Sequence, residues 1–551
     1  MSLFPDKQAA GHADPNPAPS KFKKHSPLIL LALVLVLASL LRLQGIGWGL
    51  PTVGHPAYSY HPDEAPLILA AHRMAVDGVK RADFIYGGTL FFRMLAIPAP
   101  LNSLLDTFSG GHGKIGNAIL FWRLFMTLVA LISILFLYRI GAILFNRRVG
   151  ILAALLLAVV PAHVVWAQRV RPDEIAALFA IVLFYLAVKL YRAESHRHRY
   201  LFAAAFVTGI AVAFRFPLAL FGIPAVVAYG LRDWKGGTAW RLYAKHFGLA
   251  FVCAVIGYLV GSPQSLSSPH SLIAGMQYQW SFQSGAFPYA IGRGPGIYQY
   301  AWTMMVMAVG HPIYVLALAG AVVGLRRRDP GVTLVFSALL PYLLLTSFTS
   351  WVVVRYLVPL VPFMALLAAY LCEKWLFRGS RPVVAALAVS AAVLWVSMVS
   401  FAYTRMEKGA DTRDLAATWI MQNLPSGSVV VRVLGYPGDF ASNVGPLPGM
   451  KDLVLSLKKG VDPAQLLDVV KPQYVVVGGQ YMDELARLGP RYPSARVRRF
   501  YNALLGGAYT GIHRVTNPPE FMGINLQALF SSVDYRVANP TIYIYQRIPG
   551  M

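Results

Sequence analysis

Two short stretches set paired carboxylates, the second of them behind two arginines, in a chain that is otherwise mostly apolar. They are H-P-D-E, carrying Asp63 and Glu64, and Q-R-V-R-P-D-E, carrying Asp173 and Glu174 behind Arg169 and Arg171. A carboxylate poised near a hydroxyl or amine can accept its proton, and several together can hold a divalent cation through hard oxygen ligands. Base and metal site are both open to these four residues. If the bond that breaks releases a phosphate, the site needs positive charge where that anion develops more than it needs a proton donor. Arg355, in S-W-V-V-V-R-Y-L-V-P-L-V-P, and Arg215, in A-F-R-F-P, can supply it, although each taken alone is as well explained as an interface anchor. Acidic side chains number only 24 in 551 residues, so two Pro-Asp-Glu triplets flanked by cations weigh more as a site than as solvated turns.

Positioning these groups falls to membrane helices. Hydrophobic residues make up 56% of the chain and charged ones 13%, and the mean hydropathy is +0.54, the balance of a polytopic membrane protein. An apolar run of about 20 residues crosses the hydrocarbon core as a helix. About eleven runs qualify: 27–46, 117–144, 150–168, 174–190, 200–216, 217–231, 246–262, 299–325, 331–349, 355–372 and 382–403. The first follows Lys21, Lys23 and Lys24 and has no small-residue cleavage site after it, so it reads as an uncleaved anchor with a cytosolic amino terminus.

Alternate loops counted from that start should be rich in Lys and Arg. The predicted cytosolic loops carry Arg147 and Arg148; Arg192, Arg197 and Arg199; Arg232, Lys235, Arg241 and Lys245; Arg326, Arg327 and Arg328; Lys374, Arg378 and Arg381. Loop orientation therefore accounts for the formal charge of +25 better than a nucleic-acid partner does. Both acidic triplets, Arg215 and Arg355 then fall at the outer surface. The weakest boundary is A-F-R-F-P, between 200–216 and 217–231; merging those runs would invert everything downstream, and the basic loops argue against it. Cys253 and Cys372 both lie in apolar runs, which argues against a disulfide framework.

Composition divides the chain into three parts. Residues 1–26 read as a disordered cytosolic tail, 27–403 as the membrane catalytic domain with a first outer loop at 47–116, and 404–551 as a small extracytoplasmic α/β domain. In the last part D-T-R-D-L-A-A-T-W-I-M-Q-N-L-P offers Asp411 as a helix cap and an apolar face at Leu415, Trp419 and Ile420. S-V-V-V-R-V-L, Q-Y-V-V-V-G-G and T-I-Y-I-Y-Q-R read as strands, with a helical D-P-A-Q-L-L-D-V-V between the first two. His196 and His198 read as a solvated loop, and His61 as either a ligand or a hydrogen-bonding loop residue. Y-V-V-V-G-G-Q lacks the spacing of a nucleotide loop, so a donor drawn from within the membrane suits the chain better.

The order of these motifs, from an amino-terminal anchor through H-P-D-E and R-P-D-E to R-Y-L-V-P-L-V-P, resembles the GT-C superfamily of polyprenyl-phosphate-sugar-dependent glycosyltransferases. Within it the glycosyltransferase 39 type, with protein O-mannosyltransferases and the aminoarabinose transferases acting on lipid A, is most similar. The resemblance implies an inverting transfer from a polyprenyl-phosphate-linked sugar to an extracytoplasmic acceptor: protein, glycolipid or wall glycan. Asp63 then matches the general base or acceptor-orienting acid, with Glu64 beside it in the catalytic motif. Asp173, and more weakly Glu174, matches an acceptor- or metal-binding position, so that Asp63 and Asp173 are the expected ligands of any divalent cation. Arg355 and Arg215 match the residues that hold the lipid phosphate, though Arg215 stands where some relatives carry lysine. Metal dependence varies across the superfamily. The region around Tyr86 lacks a proline often found there and stays outside the expected catalytic core. A bacterial cytoplasmic membrane is the implied location. The rival reading is a transporter or lipid-carrier flippase, which would place ionisable groups near the midplane of two repeated halves; no repeat is evident.

Overall fold

The computed structural model describes residues 21–51, 59–97, 113–233, 240–284, 296–349, 352–434, 444–457, 462–492 and 494–550. Of the expected tail at 1–26, residues 1–20 lie outside the described residues and 21–26 are helical instead, the first turns of the helix Lys21–Leu43 that was expected to start at 27. Among the described residues six helices are long and apolar enough to cross a bilayer: Ile115–Leu144, Pro172–Arg192, Leu242–Gly261, Pro330–Ser347, Val354–Phe377 and one within Pro382–Asn423. The chain is an integral membrane protein, but the count of eleven crossings is not reproduced. Pro27–Leu43, His198–Phe214, Phe216–Leu231 and His311–Arg326 are shorter apolar helices, and the run 150–168 is a broken pair, Arg147–Val159 and Pro161–Trp166.

Proline and glycine account for the breaks. Val160, forced off the helical region by Pro161, is extended at φ −65°, ψ 135°. The carbonyls released there would each cost several kcal/mol if left bare in hydrocarbon. Two neighbouring helices cover them. Arg42 of the first helix donates to Ala158 O at 2.9 Å and Leu157 O at 3.4 Å, and Ser400 Oγ donates to Val159 O at 2.6 Å. In return the Gln168 Nε2 amide, with two hydrogens to share, lies within hydrogen-bond distance of Leu41 O and Arg42 O at the end of the first helix and of Gln44 O just beyond it, at 2.6–3.2 Å. The expected join at A-F-R-F-P is likewise a break: His198–Phe214 ends at an extended Arg215, and a 3₁₀ helix, Phe216–Gly222, follows. The run 299–325 is not continuous, because Gly310 at φ +83° separates Met305–Val309 from His311–Arg326. Gly257 lets its helix press on His198–Phe214, where an added Cβ would stand 2.0 Å from Phe206 O.

The carboxyl-terminal part is a three-layer α/β unit. Its strands in chain order are β1 Val429–Leu434, β2 Lys451–Ser456, β3 Tyr474–Gly478, β4 Tyr509–Val515, the short hairpin β5 Glu520–Phe521 and β6 Ile524–Asn525, and β7 Ile542–Arg547. The main sheet runs β2-β1-β3-β7-β4, parallel across the first three strands and antiparallel across β3, β7 and β4. Period-two alternation sends Val431, Val433, Val475 and Val477 towards the helices Pro463–Val470 and Ala495–Leu505, and Val430, Val476, Ile542 and Ile544 towards Thr412–Asn423. The three expected strands and the helix between the first two are present, and Asp411 caps Thr412–Asn423 by accepting from Arg413 N at 3.0 Å. The buried face of that helix is Ala416 and Ile420, while Leu415 is exposed, because the sheet meets a stripe one residue round from the expected one. β2, β4 and the hairpin β5–β6 were not expected. One stretch of this part leaves it: Leu526, Phe530, Val533, Tyr535 and Ala538 are buried in the core of the membrane bundle.

Candidate active site

Both Pro-Asp-Glu triplets are helix starts. Asp63 immediately precedes Glu64–Asp77, and Asp173 and Glu174 occupy the first turn of Pro172–Arg192. Acids are favoured there because unpaired N–H groups and the helix dipole stabilise negative charge. Local sequence alone would explain both triplets; the tertiary arrangement adds the chemistry. Arg171, just before the second triplet, reaches across to pair with Asp63 of the first, and its Nε lies 3.6 Å from Asp173 Oδ2. Arg215 Nη1 donates to Asp173 Oδ1 at 2.6 Å. The Tyr356 ring lies between two guanidiniums, with Arg215 5.2 Å and Arg355 5.6 Å from its centroid. Four of the six expected residues, Asp63, Asp173, Arg215 and Arg355, therefore meet in one cluster.

The two aspartates are unequal. Asp63 is 38% exposed, and among the described residues its Oδ1 has no protein partner, whereas Asp173 is 1% exposed and held between two arginines. The three arginines also differ. Arg171 and Arg215 are engaged by carboxylates; among the described residues Arg355 has no carboxylate partner, and its Nε has no hydrogen-bond partner. Two side-chain carboxylates, Asp63 and Asp173, face three guanidiniums, and the further carboxylate of Asp534 accepts the Arg355 backbone N–H. His61 adds no positive charge: burial, and then the fields of Arg169, Arg171, Arg123 and Arg355, hold its imidazole well below the usual histidine range. Its Nδ1 accepts the Asp63 N–H at 3.3 Å, which answers the open reading of His61 in favour of a hydrogen-bonding loop residue.

Glu64 and Glu174 stand apart from this cluster. Glu64 is fully buried and takes a bidentate pair from Arg123, at 2.9 and 2.6 Å, as well as the Val170 N–H at 2.9 Å. Arg123 also donates to Ile46 O and Trp48 O, both at 2.7 Å. This knot joins the segment 47–116, the helix Gly113–Leu144 and the bend before Asp173, so both Glu64 oxygens are engaged by the protein. Glu174, about 100° round the helix from Asp173, lies 3.0 Å from His163 Nε2, and His163 Nδ1 is 2.6 Å from Arg42. It belongs to a separate buried group behind the site. The donor set does not fit a metal between Asp63 and Asp173 either, because the Arg171 guanidinium occupies that place. Among the described residues no three His, Cys, Asp or Glu side chains converge as metal ligands.

Sequence reasoning missed Arg171 as the bridge, Arg123 as the partner of Glu64, and Tyr86. The Tyr86 hydroxyl is buried within reach of the fields of Arg171, Asp63, Asp173 and Arg215, and its carbonyl accepts Phe216 N at 2.9 Å, next to Arg215. Gly88 permits that approach: a Cβ there would lie 2.4 Å from Ala213 O. The Y-G-G triplet was the available signal, since paired glycines beside an aromatic mark a backbone pressed against another.

The family described as dolichyl-phosphate-mannose-protein mannosyltransferase matches residues 113–260, which include Arg123, Arg171, Asp173 and Arg215. No curated protein matches the chain significantly in sequence. Among solved structures, ArnT from Cupriavidus metallidurans bound to undecaprenyl phosphate superposes with a TM-score of 0.52 at 13% identity, over 85% of this chain and 95% of that one. The oligosaccharyltransferase of Archaeoglobus fulgidus in its apo form gives 0.51 at 12% identity, over 94% and 78%. The archaeal oligosaccharyltransferase AglB from the same organism, with an inhibitory peptide and dolichol-phosphate, gives 0.50 at 13% identity, over 96% and 89%. In its motifs, in the sequence of 113–260 and in its fold, the chain is similar to the GT-C glycosyltransferases.

Proposed function

We propose that the protein is an inverting membrane glycosyltransferase that moves a sugar from a polyprenyl-phosphate carrier to an extracytoplasmic acceptor. The observation that carries this reading is an exposed carboxylate, Asp63, in the same cluster as Arg355, whose guanidinium has no carboxylate partner among the described residues. A phosphate supplies the missing anion. Support comes from the undecaprenyl phosphate and dolichol-phosphate bound by the ArnT and AglB structures of the same fold.

In the proposed reaction the acceptor hydroxyl or amine gives its proton to Asp63 as it bonds to the anomeric carbon. The bond from that carbon to the phosphate oxygen breaks on the opposite face, and its electron pair leaves with the carrier phosphate. Arg355 meets the charge that develops there, a cation held in place by the fold and so already oriented when the charge appears. Arg171 and Arg215 act mainly on the protein's own acids, holding Asp173 and aiming Asp63. Glu64 is reassigned from chemistry to positioning, through Arg123. No step is routed through a divalent cation, since the Arg171 guanidinium already bridges Asp63 and Asp173.

In this reading residues 404–551, the acidic cluster and the outer segment 47–116 share the extracytoplasmic side of a bacterial inner membrane, with the amino terminus in the cytosol. The distribution of Arg and Lys over alternate loops supports that sidedness. Purified protein mixed with a radiolabelled polyprenyl-phosphate sugar should form or hydrolyse a glycosidic bond. Movement of the intact carrier across liposomes, with no bond made or broken, would favour a flippase instead.

A further inference from the structure

Arg355 sits at the second position of a 3₁₀ helix, Val354–Leu360, whose N-cap residue is Val353. Valine has no side-chain acceptor for the first N–H groups of a helix, and in a membrane bundle water cannot stand in for one. The acceptor comes from the far end of the chain: Asp534 Oδ2 takes the Arg355 N–H at 2.9 Å, while Ser532 donates its hydroxyl to Oδ1. Asp534 is buried, and it stands on the stretch of the carboxyl-terminal part that packs into the membrane bundle. The stretch is anchored on both sides of it. The Tyr403 hydroxyl donates to Tyr535 O at 2.8 Å, the Tyr535 ring stacks on Trp166, and Phe530 packs on Tyr403 with centroids 4.6 Å apart.

We propose that Asp534 is a positioning residue of the active site: it caps, from the carboxyl-terminal part of the chain, the short helix that carries Arg355, and so fixes the guanidinium that receives the donor phosphate. The cap is a statement about this fold; the consequence for phosphate rests on the function proposed above. An N-terminal cap needs an oxygen acceptor, not a negative charge. Asp534→Asn therefore keeps the cap, and Asp534→Ala removes it.

The test uses the full-length protein in nanodiscs, with two readouts. Hydrogen–deuterium exchange over 352–360 should quicken at least ten-fold in Asp534→Ala and stay near wild type in Asp534→Asn. Undecaprenyl phosphate, the carrier without its sugar, should bind about ten-fold more weakly to Asp534→Ala and within about three-fold of wild type to Asp534→Asn, the cost of one buried donor left without an acceptor. If the alanine variant does not accumulate, Asp534→Glu, which displaces the carboxylate by one methylene, is read in the same way. Unchanged exchange in Asp534→Ala overturns the cap, and so does a loss in Asp534→Asn as large as in Asp534→Ala. A wild-type protein that ignores undecaprenyl phosphate overturns the phosphate role of Arg355 alone, and exchange then decides the cap by itself.

Discussion

Replacing Asp63 with asparagine should separate turnover from donor binding. Asparagine has the shape of the carboxylate and cannot take a proton, so a general base lost this way should lower kcat by about 10²–10⁴-fold. The effect on the carrier follows from the ion pair. Asp63 is 38% exposed while Arg171 is buried and keeps Asp173 beside it, so water screens the pair from the Asp63 side and its loss should cost about 1 kcal/mol. Removing its charge makes the cluster more positive by one, so undecaprenyl phosphate should bind as tightly as before or up to about five-fold more tightly. The assay is single-turnover transfer from a radiolabelled polyprenyl-phosphate sugar, run beside equilibrium binding of the sugar-free carrier. Near-normal turnover would dispose of the base. A collapse of carrier affinity would show that Asp63 orders the whole cluster, and the division of labour between Asp63 and Arg355 would have to be abandoned.

Arg355→Ala should have the opposite signature, with carrier affinity and kcat each falling about 10–100-fold, and Arg355→Lys should restore only part of the loss because an ammonium cannot reproduce the planar fork; equal activity of the three proteins would refute the phosphate contact. Arg123→Met leaves the fully buried Glu64 without its partner, so it should destabilise the protein by about 3–5 kcal/mol, read as a lower midpoint of thermal unfolding in detergent, and Glu64→Gln added to it should recover part of that loss. For His61 the sign follows from a folded pKa held below the unfolded value of about 6.5. Between pH 6.5 and the folded pKa the unfolded chain binds the extra proton, so this contribution to stability is present above pH 6.5 and lost as pH falls through that window. His61→Gln should flatten the acid side of a plot of unfolding temperature against pH, and an unchanged slope would count against the buried neutral imidazole.

Much of this arrangement was legible because it is written locally. Pro161 and Pro217 lie within a residue or two of the observed breaks, and the acidic triplets lie at helix starts, where short-range physics favours them. Period-two runs of valine gave β1 and β3 before any sheet was seen. β2 was hidden because its K-D-L-V-L-S alternation is short and opens on two charges, as suits an edge strand. The eleven apolar runs were real as hydrophobic segments. Counting them as crossings failed because a run says nothing of where the helix inside it stops, and several stop at proline or glycine. Partner choice was invisible for a different reason. Glu64 and Asp63 are neighbours of like chemistry, yet one turns to Arg123 and the other to Arg171, which stand 59 and 108 residues away. Only the three-dimensional route of the backbone distinguishes them, and the same holds for Asp534 and Arg355, 179 residues apart.

The reciprocal clasp between Arg42 and the broken helix at Val160, returned by Gln168, bears on how this protein can be produced. Its opening hydrophobic segment is often the part that an expression vector overwrites with a foreign leader chosen for secretion efficiency. Here a leader of pure leucine and alanine would insert readily and still strand two carbonyls, Leu157 O and Ala158 O, in the middle of the bundle, beside a glutamine amide that had lost its acceptors' register. Fusions should therefore be appended ahead of Lys21, and the native segment kept whole.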